Sequence, residues 1–458
     1  MPLTPKAKTA VQYGIILLPY LLVLLAPYAP PPQWATGLTF LAITVSAAAG
    51  IIHDPAPYSI NKIYWIFNLI FFGVVPTYQY RIQHMAWEQH FRPETFVYAN
   101  CLLLAGFAMY ALVRRMVNKR TAHDKELPEP GPGKDFISNY YFIGSIIFIL
   151  CCTALVLIYG IDNLWLRRMA DSAALQMNST AFLLLDKTLR GATLYFTLLT
   201  VWLYRRGYIK LPQLLWTLAA CIVVNFPLAV PRYFVATLYI SLLLTAGFRI
   251  LQRRYFFSYV LIALILIAFP LWGITRLYLH DAATLLSNIP LVYKEAVSYG
   301  DFDPYTSLCR TIEYVQANGI TYGYQLLGVL LFFVPRSLWP TKPIGSGALV
   351  YDAIGVGFRN IASPFAAEGF INFGIVGVLL FMALLAFVAA RYDRFYQDHT
   401  NGDRQSFRYL VIFYPAAMIM IFFVLRGDLL SSFAYLTGFF VSGWAFHILL
   451  RRIKVKNS

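Results

Sequence analysis

Three arginines occupy places where a charge kept only for solubility would be oddly chosen. Arg232 lies in Pro231-Arg232-Tyr233, a short connection between two apolar runs, Arg276 directly follows another such run, and Arg426 lies in Leu425-Arg426-Gly427-Asp428 between the last two. A guanidinium in so short a connection must sit at the edge of whatever buries the flanking runs. There it can snorkel to lipid phosphates, pair with an acid such as Asp428, or hold an anionic substrate. Arginine suits the last role, because its planar fork takes phosphate oxygens in pairs and keeps its charge when partly desolvated.

A second group lies between residues 275 and 369. Asp303-Pro304-Tyr305 leads into Ser307-Leu308-Cys309-Arg310, and further on come Pro335-Arg336-Ser337-Leu338-Trp339-Pro340-Thr341-Lys342-Pro343 and Arg359-Asn360. The prolines at 335, 340 and 343 fix extended backbone that cannot continue a helix. Trp339 between them is either a platform for a sugar face or an interfacial anchor. Glu368, in Ser363-Pro364-Phe365-Ala366-Ala367-Glu368-Gly369-Phe370, is either a helix-capping partner or a carboxylate for proton work. Asp303 and Glu368 each stand beside an arginine-bearing motif, where a carboxylate can orient or deprotonate a hydroxyl.

The element that must position these groups is a membrane bundle. The chain of 458 residues is 59% hydrophobic and 13% charged, too apolar for one soluble core of that size. Apolar runs recur at 13–29, 34–52, 61–80, 95–113, 138–159, 191–204, 212–230, 234–249, 256–274, 370–390, 408–425 and 433–450; a crossing takes ~17 to 25 residues. This predicts about twelve transmembrane helices. The first run has no small-residue cleavage site and precedes Pro30-Pro31-Pro32, so it is expected to be a retained helix rather than a signal peptide.

With Lys6 and Lys8 inside and the runs alternating, the clusters Arg114/Arg115/Lys119/Arg120, Arg205/Arg206/Lys210, Arg249/Arg253/Arg254, Arg391/Arg394/Arg404/Arg408 and Arg451/Arg452/Lys454/Lys456 all fall inside. The net charge of +16 is then topology, not a nucleic-acid footprint. The expected organisation is helices one to nine in 1–274 with a cytoplasmic linker at 114–137, a large outer loop domain at 275–369, and helices ten to twelve with a basic tail in 370–458. Within the large loop the run Leu326 to Val334 is too short to cross, and 160–190 reads as an amphipathic outer loop. Four of the five cysteines lie in predicted spans, leaving Cys309 alone outside, so no disulfide framework is expected.

The runs Asp303 to Arg310, Pro335 to Pro343 and Ser363 to Gly374 resemble the Wzy-type bacterial polysaccharide polymerases, which include the O-antigen and enterobacterial common antigen polymerases. The likeness covers about 275 to 374; elsewhere the spans match mainly in number, spacing and loop size. It implies an all-α polytopic fold of about twelve helices with one large periplasmic loop domain, similar to the O-antigen ligase and GT-C-like membrane glycosyltransferases. The implied activity is the joining of undecaprenyl-diphosphate-linked oligosaccharide repeat units at the periplasmic face of the bacterial inner membrane, in O-antigen or other lipopolysaccharide-type biosynthesis.

No cofactor, metal or nucleotide sugar is implied. The partners are the lipid-linked oligosaccharide, membrane lipids, and a chain-length regulator and flippase of the same pathway; no nucleic acid is implied. Residues and resemblance together assign Arg232, Arg276, Arg310, Arg336, Arg426, Asp303 and Glu368 to catalysis, and Trp339, Lys342, Arg359 and Tyr305 to substrate binding. Arginines fit the chemistry, since cleavage at the sugar C1 builds negative charge on the diphosphate. One alternative is a ligase-type transferase, although the only loop histidine, His280, lies in an unpersuasive context. Another is a lipid-linked oligosaccharide flippase or transporter, which would place ionisable residues inside its spans; the predicted spans hold essentially none.

Overall fold

The computed structural model describes residues 4–26, 33–120, 133–165, 179–271, 297, 300–356, 361–400 and 407–452. Among them the regular structure is all helical. The first five long helices are α1 (Pro5–Val23), α2 (Trp34–His53), α3 (Ile60–Arg81), α4 (Pro93–Arg120) and α5 (Lys134–Tyr159). There follow α6 (Ser179–Arg205), α7 (Leu211–Val224), α8 (Arg232–Ala246) and α9 (Phe256–Leu271). Three shorter helices, α10 (Pro304–Asn318), α11 (Tyr324–Leu330) and α12 (Ser346–Asp352), lead to α13 (Phe365–Thr400), α14 (Tyr409–Arg426) and α15 (Leu429–Arg452).

Seven of these, α2, α3, α4, α5, α13, α14 and α15, are long and apolar enough to cross a membrane. The helices α1, α7, α8 and α9 are apolar but shorter, and α6 is interrupted by charges. Each of the twelve apolar runs overlaps one of these helices. The run Leu326 to Val334 makes only the last five residues of the seven-residue α11 and a turn, as its length requires.

Local chemistry sets the starts. Ser59 accepts a hydrogen bond from the amide of Lys62 at 2.9 Å and opens α3, while prolines occupy the first positions of α1, α4 and α10, where no amide proton is needed. Packing then sorts the helices into two cores. One gathers α1 to α4, α9, α10 and α13; the other gathers α5 to α8 and α15. The nearly buried α14 serves both, giving Tyr414 and Met418 to the first and Ile412, Phe413 and Met420 to the second. Between α6 and α15 the approach is close: a side chain at Gly191 would meet the backbone of Phe439, and one at Gly443 would meet Tyr195. Small residues at a seam are how membrane helices gain packing without a hydrophobic driving force.

A break early in α13 aims its first turns. Gly374 adopts φ 63°, ψ −145°, a conformation open essentially to glycine alone. Phe365 to Asn372 thereby form a separate short helix that folds back until Gly369 touches Gly377 backbone to backbone.

One expectation fails and one is qualified. Residues 179–190 are the start of α6 rather than part of an outer loop, and the helices extend past the apolar runs and bury charge there, Lys62 being the one of these ions inside a run. Asp186 accepts from Lys187 at 2.6 Å, Arg190 at 2.7 Å and the Tyr159 hydroxyl at 2.8 Å, and Arg190 reaches Asn225 at the end of α7. At the opposite ends of the helices Asp393 of α13 accepts from the Ile60 amide at 2.8 Å, Arg114 at 2.9 Å and the Tyr414 hydroxyl at 2.7 Å. Lys62, wholly buried, donates to the carbonyls of Ala56 and Arg254. Hydropathy charges each ion its full desolvation cost, whereas these ions are paired and hydrogen-bonded, which offsets most of it. Both sets lie toward helix ends, not at their middles.

Candidate functional site

The site is built around the turn Gly300–Phe302 and Asp303, which opens α10. Phe302 is the anchor. It is buried, stacked on Phe71 of α3 with ring centres 5.4 Å apart and edge-on to Phe269 of α9 at 6.0 Å. Gln79 of α3 clamps the backbone by donating to the carbonyls of Val297 at 2.8 Å and Phe302 at 3.2 Å. With Phe302 pinned, its neighbours on either side present two carboxylates in opposite settings: Asp301 is about a third exposed and Asp303 is fully buried.

Two arginines from distant helices meet this turn. Arg232, the first residue of α8, lays its fork on the Asp301 carboxylate, with Nη1 to Oδ2 at 2.6 Å and Nη2 to Oδ1 at 2.7 Å, and its guanidinium lies 4.6 Å over the Phe269 ring. Arg426, in the last turn of α14, donates Nη2 to the Gly300 carbonyl at 2.6 Å and to Asp303 Oδ1 at 3.2 Å, and Nε to the Asp301 carbonyl at 3.2 Å. Its fork therefore rests on Asp303 and the turn, not on its sequence neighbour Asp428. The Asp428 carboxylate instead accepts from the Ser431 amide at 3.0 Å, capping α15.

Asp303 holds the assembly together. Besides Arg426 it accepts from Trp87 Nε1 at 3.0 Å and the Ala362 amide at 3.3 Å. Burial pushes its carboxyl above the usual carboxylate range, and Arg426 and the two further donors only partly oppose that shift. Trp87 is delivered by strained backbone: it has φ 60° and Glu88 has φ 53°, in the left-handed region that non-glycine residues rarely occupy.

A second carboxylate sits one connection away. Glu368 is buried in the folded-back start of α13 and accepts from the Leu429 amide at 3.0 Å and the Ser346 hydroxyl at 2.7 Å. It caps α15, not its own helix, satisfying one of the amides that a helix start leaves unpaired. Because Arg426 and Leu429 flank the two-residue link between α14 and α15, the Asp303 and Glu368 nodes are mechanically joined.

The segment from Pro335 to Pro343 folds as a braced loop on the same end. Arg336 donates to the carbonyls of Lys342 at 2.6 Å and Pro343 at 3.2 Å, and Lys342 Nζ to those of Phe332 at 2.6 Å and Val334 at 2.9 Å. Neither cation has a carboxylate partner among the described residues. Burial and the Arg336 charge pull the Lys342 ammonium below the usual lysine range. Trp339 is half-buried, edge-on to Tyr324 with ring centres 6.1 Å apart, and donates Nε1 to the Thr341 hydroxyl at 3.1 Å. The loop returns at Gly345, which packs directly against the Asp428 carboxylate.

Of the residues singled out in the sequence, Arg232, Arg426 and Asp303 converge, with Glu368 adjoining them. Arg336, Lys342 and Trp339 form the neighbouring loop. Arg310 points elsewhere, paired with Glu313 at 2.8 Å and Gln89 at 2.6 Å and lying 4.7 Å over the Phe91 ring. Tyr305 is wholly buried, packed on Phe40 and donating to Asn100 at 2.8 Å, so its place is the core between α2 and α4 and not a substrate surface. Arg276 and Arg359, and His280 with them, lie outside the described residues. Sequence reasoning missed Asp301, whose signal was the acid pair in Gly300-Asp301-Phe302-Asp303, and Trp87, for which there was none.

No family model, no curated protein and no solved structure matches this chain.

Proposed function

We propose that this end of the bundle binds the diphosphate of a lipid-linked oligosaccharide and that the protein is a membrane glycosyltransferase polymerising such repeat units. The observation that carries the reading is the convergence of Arg232 and Arg426, from α8 and α14, on the single turn at Asp301. Two guanidiniums gathered beside a partly exposed carboxylate at the ends of apolar helices suit a ligand whose charge is a diphosphate and whose tail lies in lipid.

On this reading the diphosphate displaces the Asp301 carboxylate from the fork of Arg232, and Arg426 holds the second phosphate. The bond between sugar C1 and the diphosphate oxygen breaks, and its electron pair leaves with the lipid diphosphate, whose growing charge the arginines stabilise. The acceptor hydroxyl oxygen forms the new bond to C1. Its proton passes to Asp301, which the substrate has just released from its ion pair. Asp303, enclosed by three donors, is a positioning residue for Arg426, and the loop bearing Trp339 flanks the site as a surface for the sugar.

The further elements of the reading are twelve crossings, a site facing the periplasm of a bacterial inner membrane, and the Wzy-type resemblance of the 303–374 motifs. The test is direct: purified protein in detergent, given undecaprenyl-diphosphate-linked repeat units, should yield a ladder of longer glycans. A preparation that binds the substrate but makes no ladder overturns the reading. A second reading is translocation of the same lipid-linked glycan, for which the buried ion pairs of α6 and of α4 with α13 are the relevant observation, although they lie toward helix ends. Transbilayer movement of the glycan in proteoliposomes without chain growth would support that instead.

A further inference from the structure

The opposite end of the bundle carries a groove that the glycosyl-transfer reading does not use. A cavity of about 590 Å³ lies between α2 and α4, within the ~300–1,000 Å³ usual for small-molecule sites. Ala49 and Gly50 of α2 and Phe107, Ala108 and Ala111 of α4 make its walls, with Trp65 of α3 beneath Gly50. From Leu104 to Arg115 the lining follows α4 for about 16 Å at ~1.5 Å per residue. It is apolar toward the middle of the helix and ends at Arg114, Arg115 and His53.

The charged end has vacant hydrogen-bonding capacity. Arg114 spends one Nη on Asp393 and leaves the other, Nη1, buried beside the Tyr110 hydroxyl and without a hydrogen bond of good geometry among the described residues. Asn61 Oδ1, in the lining, is likewise buried and without a partner among the described residues, and the Tyr110 hydroxyl, beside the Arg114 guanidinium, has a proton that no acceptor among them takes in good geometry. Tyr110 is fully buried and Asn61 is 6% exposed, so solvent at large does not serve them. Asp54 also lines the groove, but its oxygens are taken by the Ala56 amide at 2.9 Å, the Ser59 hydroxyl at 2.6 Å and Asn61 Nδ2 at 2.8 Å. What remains open at this end is two donors, an exposed guanidinium and one acceptor.

We infer that this groove holds a membrane phospholipid of the leaflet at the Arg114 end. One acyl chain lies along Phe107, Ala108 and Ala111. The phosphate takes Arg114 Nη1, the Tyr110 hydroxyl and Arg115, and a headgroup hydroxyl or ammonium donates to Asn61 Oδ1. The bound lipid completes the fork of Arg114 and ties α2 and α4 to the Asp393 node. The inference stands apart from the proposed chemistry and would survive its failure.

The test is native mass spectrometry of the detergent-purified full chain titrated with phosphatidylglycerol. Two variants keep the fold, since both positions are exposed: Arg115→Gln removes charge without filling space, and Ala108→Trp fills the groove without touching charge. Each should weaken the tightest phosphatidylglycerol site about tenfold, the scale of one charge-assisted hydrogen bond. Diacylglycerol, which lacks the phosphate, should not compete, and neither should inorganic phosphate, which lacks the chain. Unchanged affinity in both variants overturns the inference, as does equal competition by diacylglycerol or by inorganic phosphate. Binding of polyprenyl phosphate in preference to phosphatidylglycerol overturns the phospholipid assignment.

Discussion

Arg232 and Arg426 are distinguished less by charge than by geometry. Arg232 offers both Nη atoms to one carboxylate, the arrangement it would offer to paired phosphate oxygens, and a lysine in its place would hold a point charge without the fork. Arg232→Lys should therefore lower kcat/KM for chain growth by about 10²-fold or more, the range seen when one preorganised donor to a developing anion is lost. Polymerisation at the parent's rate would reduce Arg232 to a surface ion pair with Asp301. Asp303 has a different signature. Its carboxyl is raised in the fold, so the native state holds the proton more tightly than the unfolded chain does. Its contribution to stability is therefore greatest below the unfolded value of about 3.8 and declines as pH rises through the folded value. The Tm of the parent, measured against that of Asp303→Asn, should fall as pH rises from the unfolded value toward the raised folded one; parallel curves would refute the assignment. Which residues meet was only partly legible from the sequence. Short connections marked Arg232 and Arg426 as boundary groups, yet adjacency suggested Asp428 as the partner of Arg426, and only tertiary structure brings Asp303 there across 123 residues. Tyr305 was drawn into the site by its neighbours, but on α10 it falls on the face that packs into the core.

The elements were legible where apolarity ran unbroken and obscure where it did not. Runs such as those of α2, α5 and α14 announce themselves by length and composition. The start of α6 was misread as loop because Asp186, Lys187 and Arg190 interrupt its apolar face, and nothing local reveals that they neutralise one another. The break in α13 was invisible for another reason. Glycine at 374 permits the bend, but the demand for it comes from the contact of Gly369 with Gly377 and from the capping of α15 by Glu368. Space at Gly374 is ample, since an added Cβ would meet only Ile320 at 3.9 Å. The penalty for Gly374→Ala is accordingly one of backbone conformation, about 1–3 kcal/mol. The variant should melt several degrees lower and lose polymerisation along with it, as Glu368 swings off the Leu429 amide. Full activity with an unchanged Tm would mean that the two turns before Gly374 position nothing.

At the scale of the whole molecule, the alternation of basic clusters makes the strongest claim. On the proposed topology the termini are expected inside and the region around α10 outside. In a background without native cysteines, a membrane-impermeant thiol reagent applied to intact cells should modify Asn318→Cys, which lies on exposed surface, but not Lys125→Cys. The reverse pattern would invert the bundle and turn the Arg232 site toward the cytoplasm.

The two cores interleave along the chain, and time enters the structure through that fact. Arg114 is made 279 residues before Asp393, the acid that neutralises it. At a synthesis rate of ~5–20 residues per second, the interval is on the order of 14 to 56 seconds. Throughout that wait the surface of α1 to α4 later covered by α13 stays open, and Arg114 and Lys62 still lack the groups supplied by residues 393 and 254. The cell must shelter the half-made bundle, by an insertion chaperone or by the lipids themselves, until the ribosome delivers the helix that closes it.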